Sequence, residues 1–274
     1  MRVVGVGMRV VGVGLVPTRM METVIFDVDG TLVDSERDGH RVAFNLAFEE
    51  LGLPYRWDVA VYGELLETAG GERRIDAWLR DHGHPDDERR RLAPALHRRK
   101  TELFSELVAA GRVEPRPGAR RLLDELDGDG VRLAVATTGS RAWVGPLLDG
   151  HFGAGRFEVV VTGNDVTDRK PDPHAFVLAL DRLALAPAEA VAVEDSRNGL
   201  RAARGAGLEC VMVLNGYTAS HDVAGAALVL DGFGEPDRPA RLLADPYAVG
   251  PPGLLDARSL ARVVERTGRT RATR

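Results

Sequence analysis

Four short apolar runs, each ending in polar residues, constrain this chain more than any other feature. They are Thr23-Val24-Ile25-Phe26, Leu133-Ala134-Val135-Ala136, Val159-Val160-Val161 and Val191-Ala192-Val193. Runs this short, mostly β-branched and flanked by turn residues, read as strands buried on both faces. From residue 119 onward, strands alternate with helical patterns. Strands are expected at 23–26, 132–137, 158–161, 190–193, 209–214 and 228–230. Helices are expected at 119–127, 141–148, 173–183 and 199–206. Repeated βα units imply an α/β fold with a doubly wound parallel sheet. Ligands of such sheets bind beyond the carboxyl ends of the strands.

The stretch from 35 to about 110 has a different pattern. Ala43, Phe44, Leu46, Ala47 and Leu51 form one helical apolar face, closed by Gly52 and Pro54. Helical patterns continue over 61–67, 73–82 and 86–110, with no strand between them. This predicts a helical domain, 35–114, inserted into a core of 21–34 and 115–235. The stretch 236–274 is expected to be an extension with a short helix at 254–267 and a solvated Arg-rich end. At the other terminus MRVVGVG occurs twice in succession, at 1–7 and 8–14. Glycine at that density disfavours a helix, and the run is too short to span a bilayer. Residues 1–20 are therefore expected to be a disordered extension, with Met20 or Met21 as the start of the folded chain.

A net charge of −5 argues against a general nucleic-acid binder. Cys210 is the sole cysteine and lies in the apolar run Cys210-Val211-Met212-Val213, so a buried inert thiol is expected. The expected setting is cytoplasmic, away from membranes, with the chain acting as a monomer.

The polar residues at the strand ends carry the chemistry. Asp27 and Asp29 follow the first strand, and in a regular strand residues two apart share a face. Asp29-Gly30 is also ordinary turn chemistry. Thr137-Thr138 follow the second strand and could cap a helix near Arg141. Lys170 precedes Pro171-Asp172-Pro173 after the third and could be a solvated loop lysine. Glu194-Asp195 follow the fourth and could cap the helix beyond. Four such sites at strand ends would converge in one crevice. Carboxylates without a His/Cys cluster favour a hard cation, and Mg²⁺ fits best. A lysine and a hydroxyl beside it suit a phosphoryl group. A phosphate and a carboxylate repel by about 4 kcal/mol per charge pair at 4 Å and effective dielectric 20, which Mg²⁺ and Lys⁺ would offset. One Asp could then attack phosphorus while the other moves the proton.

Asp27-Val28-Asp29-Gly30-Thr31, the Thr137 pair, Lys170-Pro171-Asp172-Pro173 and Glu194-Asp195-Ser196 resemble, in order, the four motifs of the haloacid dehalogenase (HAD) superfamily. The resemblance implies a Rossmann-like core with an inserted helical cap. It implies Asp27 as nucleophile, Asp29 as general acid/base, and Thr137 and Lys170 as phosphoryl-binding groups. It implies Mg²⁺ held by Asp27, the Asp29 carbonyl and Asp195, with Glu194 a further ligand or outer acid. Within the superfamily the chain is most similar to the CbbY-type sugar-phosphate phosphatases. The carriers are Asp34-Ser35-Glu36, His40 to Asn45, Trp57-Asp58, Tyr62 to Leu66, and Gly70-Gly71-Glu72-Arg73-Arg74-Ile75. That likeness makes a small phosphosugar the substrate, with xylulose bisphosphate the best-known one. It points to Asp34, His40, Gly70, Gly71, Arg73, Arg74 and Thr138 as substrate contacts. One departure stands out. A lysine commonly follows the Gly-Gly pair in that group; here it is Glu72, which would repel a distal phosphate unless Arg73 or Arg74 compensates. A β-phosphoglucomutase-like mutase and a phosphoglycolate phosphatase are the alternatives. A dehalogenase fits poorly because it has no use for Asp29, and a non-catalytic module has no use for the full charged set.

Overall fold

The computed structural model describes residues 21–68, 70–250 and 253–272, with side chains as far as 266. The MRVVGVG repeat lies outside the described residues. Six parallel strands and one antiparallel edge strand make a single sheet in the order β3-β2-β1-β4-β5-β6-β7. These are β1 (Thr23–Phe26), β2 (Arg132–Ala136), β3 (Val159–Val161), β4 (Ala190–Glu194), β5 (Glu209–Val213), β6 (Leu228–Leu230) and β7 (Leu242–Ala244).

Both faces are covered, which explains why the strands are almost continuously apolar. Val24, Phe26, Val135, Val193, Val211 and Leu230 point to one face. Leu122, Leu123 and Leu126 of α5 (Ala119–Gly128) pack there, with Leu147 and Leu148 of α6 (Arg141–Phe152). Ile25, Ala134, Ala192, Cys210 and Met212 alternate onto the other face. They meet Phe176 and Leu180 of α7 (His174–Leu183) and Leu200 and Ala203 of α8 (Arg197–Gly205). Cys210 is fully buried, as expected.

Four helices come between β1 and α5: α1 (Arg41–Glu50), α2 (Val59–Leu65), α3 (Gly71–Asp81) and α4 (Asp86–Ala109). A six-residue π-helical turn, Ser35–His40, leads into them, with Asp34 as its N-cap. The chain leaves and re-enters the core at one place. Val33 bridges Pro115, and the Arg116 amide donates to the Leu32 carbonyl at 2.9 Å.

The C-terminal stretch departs from the expected extension. Its helix, α9 (Ala257–Ala272), is longer than the expected 254–267. Leu260 and Val263 are fully buried on the first face of the sheet, against α5, β4 and β5. Without it, apolar surface over β4 and β5 would face water, so hydrophobic burial docks the segment. Sequence reasoning also missed β7, whose Leu242 and Leu243 are half-exposed and carry no alternation.

Candidate active site

β1 is flanked by β2 on one side and β4 on the other, so chain connectivity reverses between β1 and β4. That reversal opens a crevice at the strand ends. Register does the rest: Phe26 pairs with Val193, and the Asp27 amide donates to the Val193 carbonyl at 3.0 Å. Asp27 therefore emerges beside Glu194.

Lys170 sits between them. Its Nζ donates to Asp27 Oδ1 at 2.6 Å, to Glu194 Oε1 at 2.5 Å and to the Ala136 carbonyl at 2.7 Å. All three side chains are more than nine-tenths buried. The other Glu194 oxygen accepts from the Asp195 amide and from the Ser196 amide and hydroxyl. Gly199 makes room for this carboxylate, since a Cβ there would lie within 2.0 Å of it. Asp195 is held at both oxygens, by Thr31 Oγ1 at 3.1 Å and by Asn215 Nδ2 at 2.7 Å. Thr137 is fully buried past β2, and its hydroxyl accepts from the Gly139 amide at 3.1 Å. Thr138 is half-buried next to it. Neither threonine caps α6, and neither acid caps α8. Ser140 and Ser196 do that work.

The electrostatics are one-sided. Burial pushes the Asp27 carboxyl well above its ordinary range; Lys170 pulls it down, while Glu194, Asp195 and Asp29 push it up again. Burial and the Glu194 charge raise Asp195 to about 7. Lys170 stays above the ordinary lysine range because its two carboxylates outweigh the cost of burial. Carboxylate oxygens of Asp27, Glu194 and Asp195 lie within 4.8 Å of one another. Three buried acids against one contacting ammonium leave positive charge in deficit. An all-oxygen donor set of this kind could hold a hard metal ion.

Asp29 does not share that cluster, contrary to the same-face expectation. β1 stops at Phe26, and Asp29 lies in the turn that follows, where strand alternation no longer applies. Its carboxylate instead accepts from the Ser35 hydroxyl, and His40 Nε2 is 3.7 Å away. Burial raises its pKa, but His40, Ser35 and Lys100 together lower it on balance. His40 in turn contacts Lys100, whose Nζ lies 2.9 Å from His40 Nδ1. An ammonium can only donate, so Nδ1 is the acceptor for a charged Lys100 and Nε2 is left to face Asp29. Lys100 rests over the rings of Phe44 and Phe104, and burial lowers it to about 8.

The other insert residues are placed unevenly. Gly70 has φ 92 and precedes α3, which Gly71 begins. Arg73 is exposed and lies over Gly70, and Glu72 is exposed too. Arg74 is buried; it donates to the Leu65 carbonyl at 2.8 Å and to the Tyr62 hydroxyl at 3.3 Å. Tyr62 donates to Glu36 at 2.5 Å. Asp34 is half-buried at the turn, and burial raises its pKa.

Sequence reasoning missed Lys100 and Asn215, and it took Thr31, Glu36 and Tyr62 only as parts of motifs, with no role of their own. One signal was available for Lys100: it falls on the buried stripe Ala93, Leu96, Leu103, Phe104 of α4, where a charge is out of place.

Residues 21–207 match the family model described as haloacid dehalogenase-like hydrolase. Protein CbbY of Cereibacter sphaeroides is 45% identical over 219 residues, covering 79% of this chain and 94% of that protein. A CBBY-like protein of Arabidopsis thaliana is 39% identical over 227 residues, covering 80% of this chain and 71% of that one. Among solved structures, a mutant CbbY from Rhodobacter sphaeroides in complex with xylulose-(1,5)bisphosphate superposes with a TM-score of 0.66. It is 44% identical and covers 78% of this chain and 95% of its own. The chain belongs to the haloacid dehalogenase-like hydrolase family.

Proposed function

We propose that this HAD-family phosphatase hydrolyses the phosphate ester of a small phosphosugar through an aspartyl-phosphate on Asp27. The observation that carries the reading is the shared lysine. Lys170 joins Asp27 to Glu194 beside Asp195 at the sheet's switch point, and the three acids remain short of positive charge. Asp27, Asp195 and the Asp29 main-chain carbonyl would hold Mg²⁺ there, with Glu194 engaged in holding Lys170. When bound, Mg²⁺ supplies the charge that lets a phosphate approach the carboxylates.

Lys170 occupies Asp27 Oδ1, which leaves Oδ2 to attack phosphorus. The ester P–O bond breaks, and Asp29 gives a proton to the departing sugar oxygen. Asp29 then takes a proton from the water that attacks the phosphoaspartate, and phosphate leaves with Asp27 restored. Lys170 and Thr137 hold the transferring oxygens. His40, Ser35 and Lys100 favour the ionised Asp29 in the structure described, the form it needs as the base of the second half. It acts as acid in the first half only in its minor protonated form, which the proton taken from water regenerates. The helical insert carries the substrate-reading groups, Arg74, Tyr62 and Glu36, and closes the site to water.

The CbbY relatives make xylulose 1,5-bisphosphate the first substrate to try. Acid quenching during turnover of ³²P-labelled substrate should trap label on Asp27, and Asp27→Asn should trap none. A steady state with no labelled protein would reject the covalent route. A panel of that bisphosphate, sugar monophosphates and phosphoglycolate, ranked by kcat/KM, identifies the substrate. A clear preference for monophosphates would show that Glu72 has cost the chain its distal-phosphate site.

A further inference from the structure

Arg116 is the residue whose placement the reaction leaves unexplained. It stands where the chain re-enters the core from the helical insert, one residue after the Val33–Pro115 bridge. Its Nη1 donates to the Gly30 carbonyl at 2.6 Å and to the Val213 carbonyl at 2.7 Å. Its Nη2 donates to the Leu214 carbonyl at 2.6 Å. The Phe233 ring lies beneath it, 5.7 Å from the guanidinium carbon to the centroid. One planar fork thus joins the loop after β1 to the end of β5, from a backbone position on the hinge.

No carboxylate shares in these bonds; Asp195, Asp34 and Asp231 act on the guanidinium only through their charge. Burying a guanidinium is costly, and a stack of carbonyls at a strand end is its compensation. Two of those carbonyls, of Gly30 and Leu214, lead to Asp195. The Gly30 carbonyl is shared with Asn215 Nδ2 at 3.1 Å, and the same amide nitrogen holds Asp195 Oδ2. Asn215 itself follows directly on Leu214, whose carbonyl Arg116 also holds. A Cβ on Gly30 would lie 2.5 Å from Asp195 Oδ2 and 2.8 Å from Asn215 Nδ2. Gly30, Asn215 and Asp195 are therefore one close-packed unit, and Arg116 grips it from both sides.

We propose that Arg116 is a positioning residue that fixes Asp195 for its metal ion by clamping Gly30 to the end of β5. The inference rests on the reading of Asp195 as a ligand of Mg²⁺. Electrostatics alone makes the opposite forecast: deleting a positive charge near Asp195 should tighten cation binding. Loss of a clamp should weaken it. A lysine keeps the charge but has no planar fork to span three carbonyls.

Mg²⁺ titration by calorimetry on the full chain, alongside thermal melts without metal, separates these cases. Arg116→Met and Arg116→Lys should each weaken Mg²⁺ binding at least tenfold, with KM for substrate at saturating Mg²⁺ within twofold of the original. Should Arg116→Met fail to fold, Arg116→Lys carries the test. Unchanged or tighter Mg²⁺ binding in a folded variant, even one with a lower Tm, overturns the positioning role. An unsubstituted protein that binds no Mg²⁺ overturns the functional reading itself, and the clamp with it.

Discussion

Two lysines are buried around this site, and their surroundings drive them in opposite directions. Lys170 comes from the core, meets two carboxylates and is held above its ordinary range. Lys100 comes from the insert, meets an imidazole and two aromatic rings and is lowered to about 8. The difference is local: direct carboxylate contacts outweigh desolvation at Lys170, while only the more distant Glu36 and Asp29 oppose it at Lys100. The core lysine is a fixed charge suited to a step that never varies. The insert lysine can gain or lose its proton within the working pH range.

The contrast can be broken in several ways, beginning with the largest effect. Lys170→Met should lower kcat by a thousandfold or more, roughly 4 kcal/mol of transition-state stabilisation. Steady-state rates measure this, and a loss under tenfold would make Lys170 a structural counter-ion. Asp29→Asn should cost about a hundredfold on a phosphosugar and much less on p-nitrophenyl phosphate, since a good leaving group needs no proton. Equal losses on both would remove the acid role. Lys100→Met should lower kcat/KM about tenfold. In the unsubstituted protein kcat/KM should fall as pH rises through about 8, where Lys100 loses its proton. Lys100→Arg should move that limb upward, because a guanidinium stays charged. A limb that stays in place assigns it to another group.

The smallest effect sharpens the core side of the comparison. Asp195 is raised to about 7 in the folded chain, above an unfolded carboxyl near 4. Between those values the folded state binds more protons, so stability is lost as pH rises through about 7. With EDTA present, Tm should fall by a few degrees from pH 5 to pH 8, and Mg²⁺ should restore it more at pH 8. A Tm that is flat with pH would show that the three acids are already neutralised.

The core was more legible in the sequence than the insert, for a physical reason. Asp27, Thr137, Lys170 and Glu194-Asp195 each follow a short apolar strand, and a parallel sheet can only bring such positions together. The insert obeys no comparable rule. His40, Tyr62, Arg74 and Lys100 come from separate helices, and helix packing decides which of them meet. Arg73 and Arg74 are neighbours in sequence, yet one is exposed and the other buried. Adjacent residues lie about 100° apart on a helix, so the 3.6-residue period has little power to separate the two. Contacts of Arg74 with the Leu65 carbonyl and Tyr62 do so. The C-terminal stretch misled for another reason. Its composition is that of a charged tail, but Leu260, Val263 and Val264 suffice to dock it.

The meeting of Val33 with Pro115 has a consequence beyond this one molecule. Because the outgoing and returning segments touch, the insert is joined covalently to the sheet at one place, although α4 also packs against α6 and Tyr62 meets Tyr217. A short turn could join those two ends without shifting β1. The two parts are still not independent, since His40 and Lys100 of the insert help to set the charge on Asp29 of the core, and an exchange of the insert would have to keep that contact.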